Sequence, residues 1–300
     1  MRKENFTIAV VGDVHGQWQQ QDQDALIHLG VDLVLFVGDL GNESVEIARK
    51  IGELPLDKAV VLGNHDAWYT ASSWGRKNRP YDPISDNWFQ KQLELLGKSH
   101  IGYSSMDFPS IELSVVGGRP FSWGGAQWKN IDFLRDLYQI NNFQESTAKI
   151  VSAARETQYQ NLIFLAHNGP YGLGNSPSSV CGRDWGDGGG DHGDPDLSES
   201  IRIIRQEKTV ALVVFGHMHH SLRCTDSYSR EKVVVDTEGT IYLNAASVPR
   251  IIESQRSILR NFTLVSFSHG KVAEMSLVWL NENFSIVHRE ILSTKTTIMG

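Results

Sequence analysis

Five short apolar runs recur along the chain, and each has the length and the β-branched content of a strand buried on both faces. They cover residues 7–11, 33–37, 59–62, 162–166 and 211–215. Helical spacing of apolar residues separates the first three runs, as in Ile47 and Ile51 ahead of Gly52. Strand, helix and strand alternating at this spacing predict βαβ units and a parallel sheet.

The pattern changes after residue 215 to short strands that alternate between polar and apolar positions. These are residues 233–235 and 241–243, and a hairpin that turns at His269-Gly270 between residues 262–267 and 272–280. Strands with one polar and one apolar face are typical of antiparallel sheets. The sequence therefore predicts an α/β fold in which these strands form a more antiparallel second sheet packed on the first.

Residues 67–130 interrupt this order, because their apolar periodicity weakens while aromatic residues accumulate. We interpret the segment as an insertion that lies over the functional site of a single domain spanning residues 1–300, since no repeat or linker divides the chain. Its aromatic side chains could stack on a nucleobase or sugar, or could simply fill a small core of their own. The aromatic residues are Trp68, Tyr69, Trp74, Tyr81, Trp88, Phe121, Trp123 and Trp128.

Composition narrows the class of protein. The 300 residues carry a formal net charge of −7, which disfavours nucleic acid as a partner because phosphate backbones are normally bound by basic faces. No run approaches the roughly 18 apolar residues of a membrane span, and Met1 to Asn5 lead directly into a predicted strand, so we expect no signal peptide. We expect a cytoplasmic protein without membrane contact. Cys181 and Cys224 are too few for a disulfide framework, and we expect both to be buried or half-buried thiols.

Potential metal ligands follow all five apolar runs. In open α/β sheets, ligands bind at the carboxyl ends of the strands, so we expect these side chains to share one crevice. Seven ligands are too many for one ion with an open position, and they fit two ions that share a carboxylate. The seven are Asp13, His15, Asp39, Asn64, His167, His217 and His219.

The order of these motifs resembles the calcineurin-like metallophosphoesterase superfamily. Its signature runs Asp-x-His, Gly-Asp, Gly-Asn-His-Asp/Glu, a lone His, and Gly-His-x-His. The corresponding stretches here are residues 13–15, 38–39, 63–66, 167 and 216–219. The resemblance implies an α/β fold of four layers, α/β/β/α, in which two mixed sheets pack face to face between flanking helices.

The resemblance also implies a division of the ligands between two ions. Asp13, His15, Asp39 and His219 would hold one ion, while Asp39, Asn64, His167 and His217 would hold the other. Asp39 would therefore bridge the two ions, and a bridging water, deprotonated to hydroxide, would attack phosphorus. Manganese or iron is favoured by the habit of the family, although the ligand types also suit zinc, nickel and cobalt.

Two residues of the third motif are candidates for catalysis. The resemblance makes His65 the group that stabilises or protonates the leaving oxygen. Asp66 could orient the ring of His65, or it could only cap the local turn.

The first motif, residues 12–16, resembles that of protein serine/threonine phosphatases and diadenosine-polyphosphate hydrolases, but the next motif departs from it. That branch continues Gly-Asp-x-Val-Asp-Arg-Gly, whereas residues 38–44 here contain no arginine to grip phosphate, and Asp66 replaces Glu after His65. The sequence therefore favours a dinuclear metal-dependent phosphatase or phosphodiesterase acting on a small phosphorylated substrate, with nucleotides among the candidates. The alternatives are a nuclease or protein phosphatase of the same superfamily, and a non-catalytic scaffold, since a retromer subunit keeps this fold after losing ligands.

The remaining polar features receive structural interpretations. Arg119 and Arg183 could reach a substrate phosphate, but we expect both on the surface. The Gly-rich loop from Cys181 to Asp194 is expected to be a mobile segment beside the site. Structural roles are also expected for the other histidines considered, which are His28, His100, His220, His269 and His288.

Overall fold

The computed structural model of the chain describes residues 3–186, 188–255 and 257–294. Within these ranges, seven strands form a first sheet: β1 (Asn5–Val11), β2 (Leu33–Phe36), β3 (Lys58–Val60), β10 (Ile251–Glu253), β11 (Ile258–Ser268), β12 (Lys271–Leu280) and β13 (Ile286–Thr294). Six form a second sheet: β4 (Ser105–Phe108), β5 (Leu113–Gly117), β6 (Asn161–Leu165), β7 (Thr209–Phe215), β8 (Val233–Val235) and β9 (Ile241–Asn244). The α-helices are α1 (Gln20–Leu29), α2 (Val45–Gly52), α3 (Ser73–Lys77), α4 (Trp88–Leu96), α5 (Ile131–Tyr138), α6 (Phe143–Arg155) and α7 (Pro195–Ile204).

Both sheets are mixed. The first has the order β13-β12-β11-β1-β2-β3, with β10 paired to β11, and the second has the order β4-β5-β6-β7-β9-β8. β1, β2 and β3 pair in parallel, as do β5, β6, β7 and β9, whereas the remaining pairs are antiparallel. The predicted βαβ pairing of the first three strands is therefore confirmed.

Three apolar layers alternate with these elements. The middle layer lies between the sheets, where Ile8 and Leu35 of the first sheet belong to the same buried cluster as Ile163 and Val214 of the second. Because successive side chains of a strand point to opposite faces, the neighbours of these residues pack outward. The outward side chains of β1 and β2 meet α1, α2 and α4, and those of β6 and β7 meet α6 and α7. The four-layer α/β/β/α prediction is confirmed.

The predicted assignment of strands to the sheets is wrong in two respects. The 262–280 hairpin joins β1 in the first sheet, where Val10 pairs with Thr263, and does not form the second sheet. The five buried strands are divided, with β1, β2 and β3 in one sheet and β6 and β7 in the other. A strand buried on both faces has the same apolar pattern in either sheet, so periodicity could not show this division.

The segment at 67–130 is only partly an insertion. β4 and β5 lie inside it and belong to the second sheet, where Val115 of β5 pairs in parallel with Ile163 of β6. The segment therefore contributes one edge of the second sheet, and the interpretation of its remaining residues as an insertion over the site stays a prediction. In the part of the chain that the structure describes, no helix is long and apolar enough to cross a membrane. The cytoplasmic location stays a prediction.

A buried ionic cluster anchors the first loop of the site. The carboxylate of Asp22, on α1, lies 3.5 Å from Arg250 and 3.3 Å from Arg260, and all three side chains are at most 1% exposed. The Arg250 guanidinium also donates to the backbone oxygen of Gln17, which follows the first ligand motif. Removing one partner from such a cluster leaves uncompensated charge in the interior, which costs far more than the loss of a surface pair.

We predict that Asp22→Asn lowers the free energy of unfolding by about 3–5 kcal/mol, because two buried guanidinium groups lose their counter-charge. Urea unfolding followed by circular dichroism measures the change. Asp24→Asn, in the same helix but in an exposed hydrogen bond to Gln20, is the control and should cost less than about 0.5 kcal/mol. Equal stability of the two variants would contradict the role assigned to the cluster.

Candidate metal centre

The predicted ligands follow the carboxyl ends of five strands, three in the first sheet and two in the second. Three of them, His15, Asp39 and His217, have left-handed backbone conformations with φ of 46°, 49° and 65°. Residues other than glycine rarely adopt this region, and they do so mainly where surrounding contacts enforce it. Here the His15 amide donates to the Asp39 carbonyl at 2.7 Å, and the His217 amide lies 3.0 Å from both carboxylate oxygens of Asp13.

Two glycines permit the close approach of ligands from different strands. A Cβ atom on Gly63 would lie 2.3 Å from an oxygen of Asp39 and 2.5 Å from the His167 ring. A Cβ on Gly216 would lie 2.2 Å from an oxygen of Asp13. Contacts this short are not compatible with any larger residue, so these glycines let the ligands converge.

The seven predicted ligands converge as two groups that meet at Asp39. In the first, His219 Nε2 lies 3.1 Å from His15 Nε2 and 3.2 Å from Asp13 Oδ2. Asp39 Oδ2 is 3.9 Å from His15 Nε2. The carboxylate of Asp39 thus joins this group through one of its two oxygens.

The second group forms around His167. Its Nε2 lies 2.9 Å from Asn64 Oδ1, 3.1 Å from His217 Nδ1 and 3.4 Å from Asp39 Oδ1. Asp39 therefore presents Oδ2 to one group and Oδ1 to the other.

The second group fits a metal ion by its donor chemistry. The Nδ1 atom of His167 lies 2.8 Å from the carbonyl oxygen of Val37. That carbonyl can only accept, so Nδ1 carries the proton and the Nε2 lone pair faces the other ligands. An outer carbonyl that fixes the ring in this way is the usual support of a metal-binding histidine.

In the first group, His219 and Asp13 shift each other's pKa through their hydrogen bond and their opposite charges. Burial lowers the pKa of His219, but the hydrogen bond to Asp13 and its negative charge outweigh burial, so that the pKa lies above its ordinary value. Burial alone would raise the pKa of Asp13, and the hydrogen bond and charge of His219 hold it below its ordinary value. A cation that bound here would supply the counter-charge of the buried Asp13 carboxylate.

In the second group, His217 has the opposite shift. Burial, followed by the neighbouring His167 ring, lowers the pKa of His217 well below its ordinary value. The ring is therefore neutral, the form in which imidazole binds a metal.

His65 adjoins the first group, and Asn42 orients it. Its Nδ1 lies 2.6 Å from Asn42 Oδ1, which accepts the ring proton, and its backbone amide donates to Asp39 Oδ1 at 2.9 Å. The ring nitrogen left for a substrate is therefore Nε2. Burial lowers the pKa of His65, and the charge of Asp39 partly opposes this shift. Sequence reasoning missed Asn42, although its place within the second motif was a signal.

Asp66 is hydrogen bonded to the backbone of the second and third motifs. Its carboxylate accepts from the backbone amides of Leu40 at 2.8 Å and Gly63 at 2.7 Å. These bonds tie the second motif to the third, which agrees with the turn-capping alternative. Burial, together with the nearby charge of Asp39, raises the pKa of Asp66 well above its ordinary value.

Arg230 ties the start of the Gly-rich loop and the segment before it to the site. This side chain is 2% exposed and donates to the carbonyl oxygens of Pro177, Ser179, Gly182 and His219 at 2.6–2.9 Å. Of these four acceptors only Gly182 lies within residues 181–194, the loop predicted to be mobile, and Pro177 and Ser179 belong to the segment before it. Residue 187, part of the same prediction, lies outside the described residues.

Several other expectations can be compared with the structure. Arg119 is buried and not on the surface, because its guanidinium pairs with Asp194 at 2.8 Å and Asp196 at 2.9 Å. Arg183 is exposed, as expected, and donates to the Gly189 carbonyl. Cys181 is buried, whereas Cys224 is exposed, contrary to expectation.

Two of the histidines expected to be structural make internal contacts. The Nε2–H of His220, which is buried, donates to the Asn244 carbonyl at 3.0 Å. His100 lies 3.3 Å from both the Val60 carbonyl and the Tyr138 hydroxyl. Neither residue belongs to the ligand groups.

A cavity of about 470 Å³, which we call the site cavity, opens onto the ligand groups. His15, Asp39, Asn64, His65, His217 and His219 line one part of it, and Trp68, Trp123, Trp185 and His192 line another. A second cavity of about 410 Å³ lies at the other end of β7, beside Thr209 and Val210, and none of the predicted site residues lines it. The chemistry suggested by the sequence is therefore concentrated in the site cavity.

The sequence family agrees with this geometry. The family model of the calcineurin-like phosphoesterases matches residues 6–221, well over half of the chain, and this match includes every predicted ligand. The chain belongs to the calcineurin-like phosphoesterase family. A comparison with curated proteins finds no match.

Solved structures that are similar to this chain are distant from it in sequence. A dimetal phosphatase from Danio rerio is 12% identical over 97% of this chain and 99% of its own, with a TM-score of 0.49. The protein TT1561 of Thermus thermophilus is 12% identical over 96% and 99%, with a TM-score of 0.48. A 5'-nucleotidase precursor from the same organism is 14% identical over 94% of this chain but 55% of its own, with a TM-score of 0.46. These likenesses carry no argument about the substrate.

We predict that Arg230→Lys lowers the free energy of unfolding by about 2–4 kcal/mol, because one ammonium group cannot satisfy four buried carbonyls. The variant should also be cut faster by trypsin or thermolysin between residues 174 and 186. Arg183→Lys, in the exposed part of the same loop, is the matched control and should behave like the wild type. Unchanged protease resistance of Arg230→Lys would show that this residue does not hold the loop.

Proposed function

We propose that this protein is a dinuclear metal-dependent hydrolase of phosphoesters in small molecules. The observation that carries the proposal is the pair of ligand groups that share Asp39, one through each carboxylate oxygen. Carboxylate, amide and imidazole donors suit first-row transition metals better than magnesium. Manganese and iron remain our first candidates, followed by zinc, nickel and cobalt.

Two groups of residues would each hold one metal ion. Asp13, His15 and His219 would hold one ion, and the second ion would be held by Asn64, His167 and His217, with Asp39 shared between them. When bound, the ions would supply Lewis acidity, which activates a water molecule and neutralises charge on the phosphoryl group. The ester oxygen, which leaves with the alcohol when its bond to phosphorus breaks, would face His65, the ring beside the first ligand group.

His65 would assist the leaving group. The ring lies beside the first ligand group, within 4.8 Å of ligand atoms of His15 and Asp39. Since Asn42 accepts the Nδ1 proton, Nε2 faces the substrate, and in the imidazolium form, which carries a proton on both ring nitrogens and is favoured by the charge of Asp39, it would donate that proton to the leaving oxygen. Asn42 would act as a positioning residue, because it sets the orientation of the ring without touching the substrate.

The geometry also bears on the alternatives. In the position where the protein-phosphatase motif has its arginine, this chain has Glu43, whose carboxylate accepts from the Tyr81 hydroxyl and from the Tyr69 amide at 2.8 Å. Glu43 is buried and cannot grip a phosphate, so a protein phosphatase is disfavoured. A scaffold is disfavoured because the ligand set is complete, and a nuclease is disfavoured by the net charge of −7.

We predict that the purified protein takes up about two transition-metal ions per chain and then hydrolyses p-nitrophenyl phosphate or its bis ester. Elemental analysis after incubation with manganese, iron or zinc measures the stoichiometry, and the release of nitrophenol measures turnover. Comparing monoester, diester and cyclic-nucleotide substrates would define the preference. Protein that binds no metal and stays inactive after manganese is added would exclude the enzyme.

We predict that His65→Ala lowers kcat by about 10²–10⁴-fold while the two ions stay bound, because the proton donor is lost and the ligands remain. Asn42→Ala should lower kcat less, since the ring is present but no longer held. His167→Ala is the contrasting variant, which should lose metal as well as turnover. If His65→Ala also lost an ion, His65 would be a ligand and its proposed role would be wrong.

A further inference from the structure

A series of stacked rings leads away from the leaving-group side of the site. The His65 and Trp68 rings stack with centroids 4.6 Å apart and planes inclined by 12°, and Trp68 stacks in turn on Trp123 at 5.8 Å. The Lys129 ammonium lies 5.9 Å from the centroid of Trp123. All four residues line the site cavity. This wall therefore begins at the proposed proton donor and ends in a positive charge.

A second series begins at the other ligand group. The His192 ring lies nearly parallel to His217, with centroids 6.2 Å apart, and its edge meets Trp185 at 4.8 Å. The Arg223 guanidinium lies 5.4 Å from the centroid of Trp185. These residues line the same cavity, so a second aromatic wall also ends in a cation.

Both cations lack an acidic partner in the part of the chain that the structure describes. The ammonium of Lys129 and the guanidinium of Arg223 make no hydrogen bond or ion pair there, and each lies over its tryptophan ring. Asp184, the other acidic residue of the cavity besides Asp39, is already paired with the buried Arg230 at 3.2 Å and accepts the backbone amide of Arg223 at 2.9 Å. Two uncompensated cations stand in one cavity of a protein whose net charge is −7.

Cations held over indole rings are suited to binding an anion. The ring face attracts the cation and limits its motion, so less conformational entropy is lost when an anion binds. The second motif supplies no arginine that could face phosphate. Glu43 occupies that position, and its carboxylate accepts a hydrogen bond from the Tyr81 hydroxyl. The positive charge that remains in the cavity comes instead from residues outside the five ligand motifs.

We propose that the substrate carries a second anionic group in addition to the phosphoester that is cleaved, and that Lys129 and Arg223 bind this group. The proposal rests on the phosphoesterase function proposed above. The scissile phosphoryl group would be neutralised by the two metal positions, so the two cations are available for another phosphate or carboxylate. The series from His65 to Lys129 places at least one of them on the leaving-group side.

The test compares phenyl phosphate with 4-(carboxymethyl)phenyl phosphate, which differ by a carboxylate that a methylene insulates from the reacting oxygen. For the metal-loaded wild-type protein, we expect KM to be about two- to fivefold lower for the carboxymethyl compound, the contribution of exposed ion pairs. This advantage should shrink when the ionic strength is raised to about 0.5 M, because salt screens exposed charges. A salt-independent KM ratio would contradict an ion pair.

The variants are Lys129→Gln, Arg223→Gln and the double substitution. We expect the ratio of the two KM values to approach one in the double variant, and Lys129→Glu to favour phenyl phosphate. Lys98→Gln, an exposed lysine outside the cavity, is the control and should keep the wild-type ratio. If both compounds are hydrolysed but the double variant keeps the wild-type ratio, the second anionic site is wrong and the proposed function stands. If neither compound nor p-nitrophenyl phosphate is hydrolysed by any protein, the proposed function itself fails.

Discussion

The structure depends on the apolar layer between its two sheets. Ile8 and Leu35 on one side belong to the same buried cluster as Ile163 and Val214 on the other, and this packing fixes how the strand ends of the two sheets face each other. Native packing is dense enough to resist sliding, because displaced side chains would open voids. As a result Asp39, beyond β2, stands 3.4 Å from His167, beyond β6. The ligand set exists only because the sheets are held in this relation.

Backbone conformation, hydrogen bonds between loops and two glycines then set the final positions of the ligand side chains. The left-handed conformations at His15, Asp39 and His217 would be costly in an isolated peptide, and here hydrogen bonds between the loops enforce them. Gly63 and Gly216 remove the Cβ atoms that would separate the ligands. The functional part of the molecule therefore includes residues without functional groups, and their contribution is to leave space.

Local sequence patterns are sufficient to predict the buried strands and to select seven side chains that the structure brings together, while the four layers follow from the resemblance to the family. Strand length and polarity are local properties, and a ligand directly after a strand is visible in the sequence. The distribution of strands between sheets was not visible, because Val10 and Val214 both lie in uninterrupted apolar runs. The roles of Asn42, Arg119 and Arg230 were also missed. Each depends on partners distant in the chain, and a polar residue in a loop reads as exposed until its partners are known.

The separation of the ligands along the chain has a consequence for folding. His15 and His219 are 204 positions apart and meet only when both sheets are complete and docked. An unfolded or half-assembled chain offers no comparable site, so metal ions would bind the native state selectively and draw the population toward it by mass action. The metal site would then form only in the folded protein, and the fraction of chains with bound metal would report the fraction of chains that has folded.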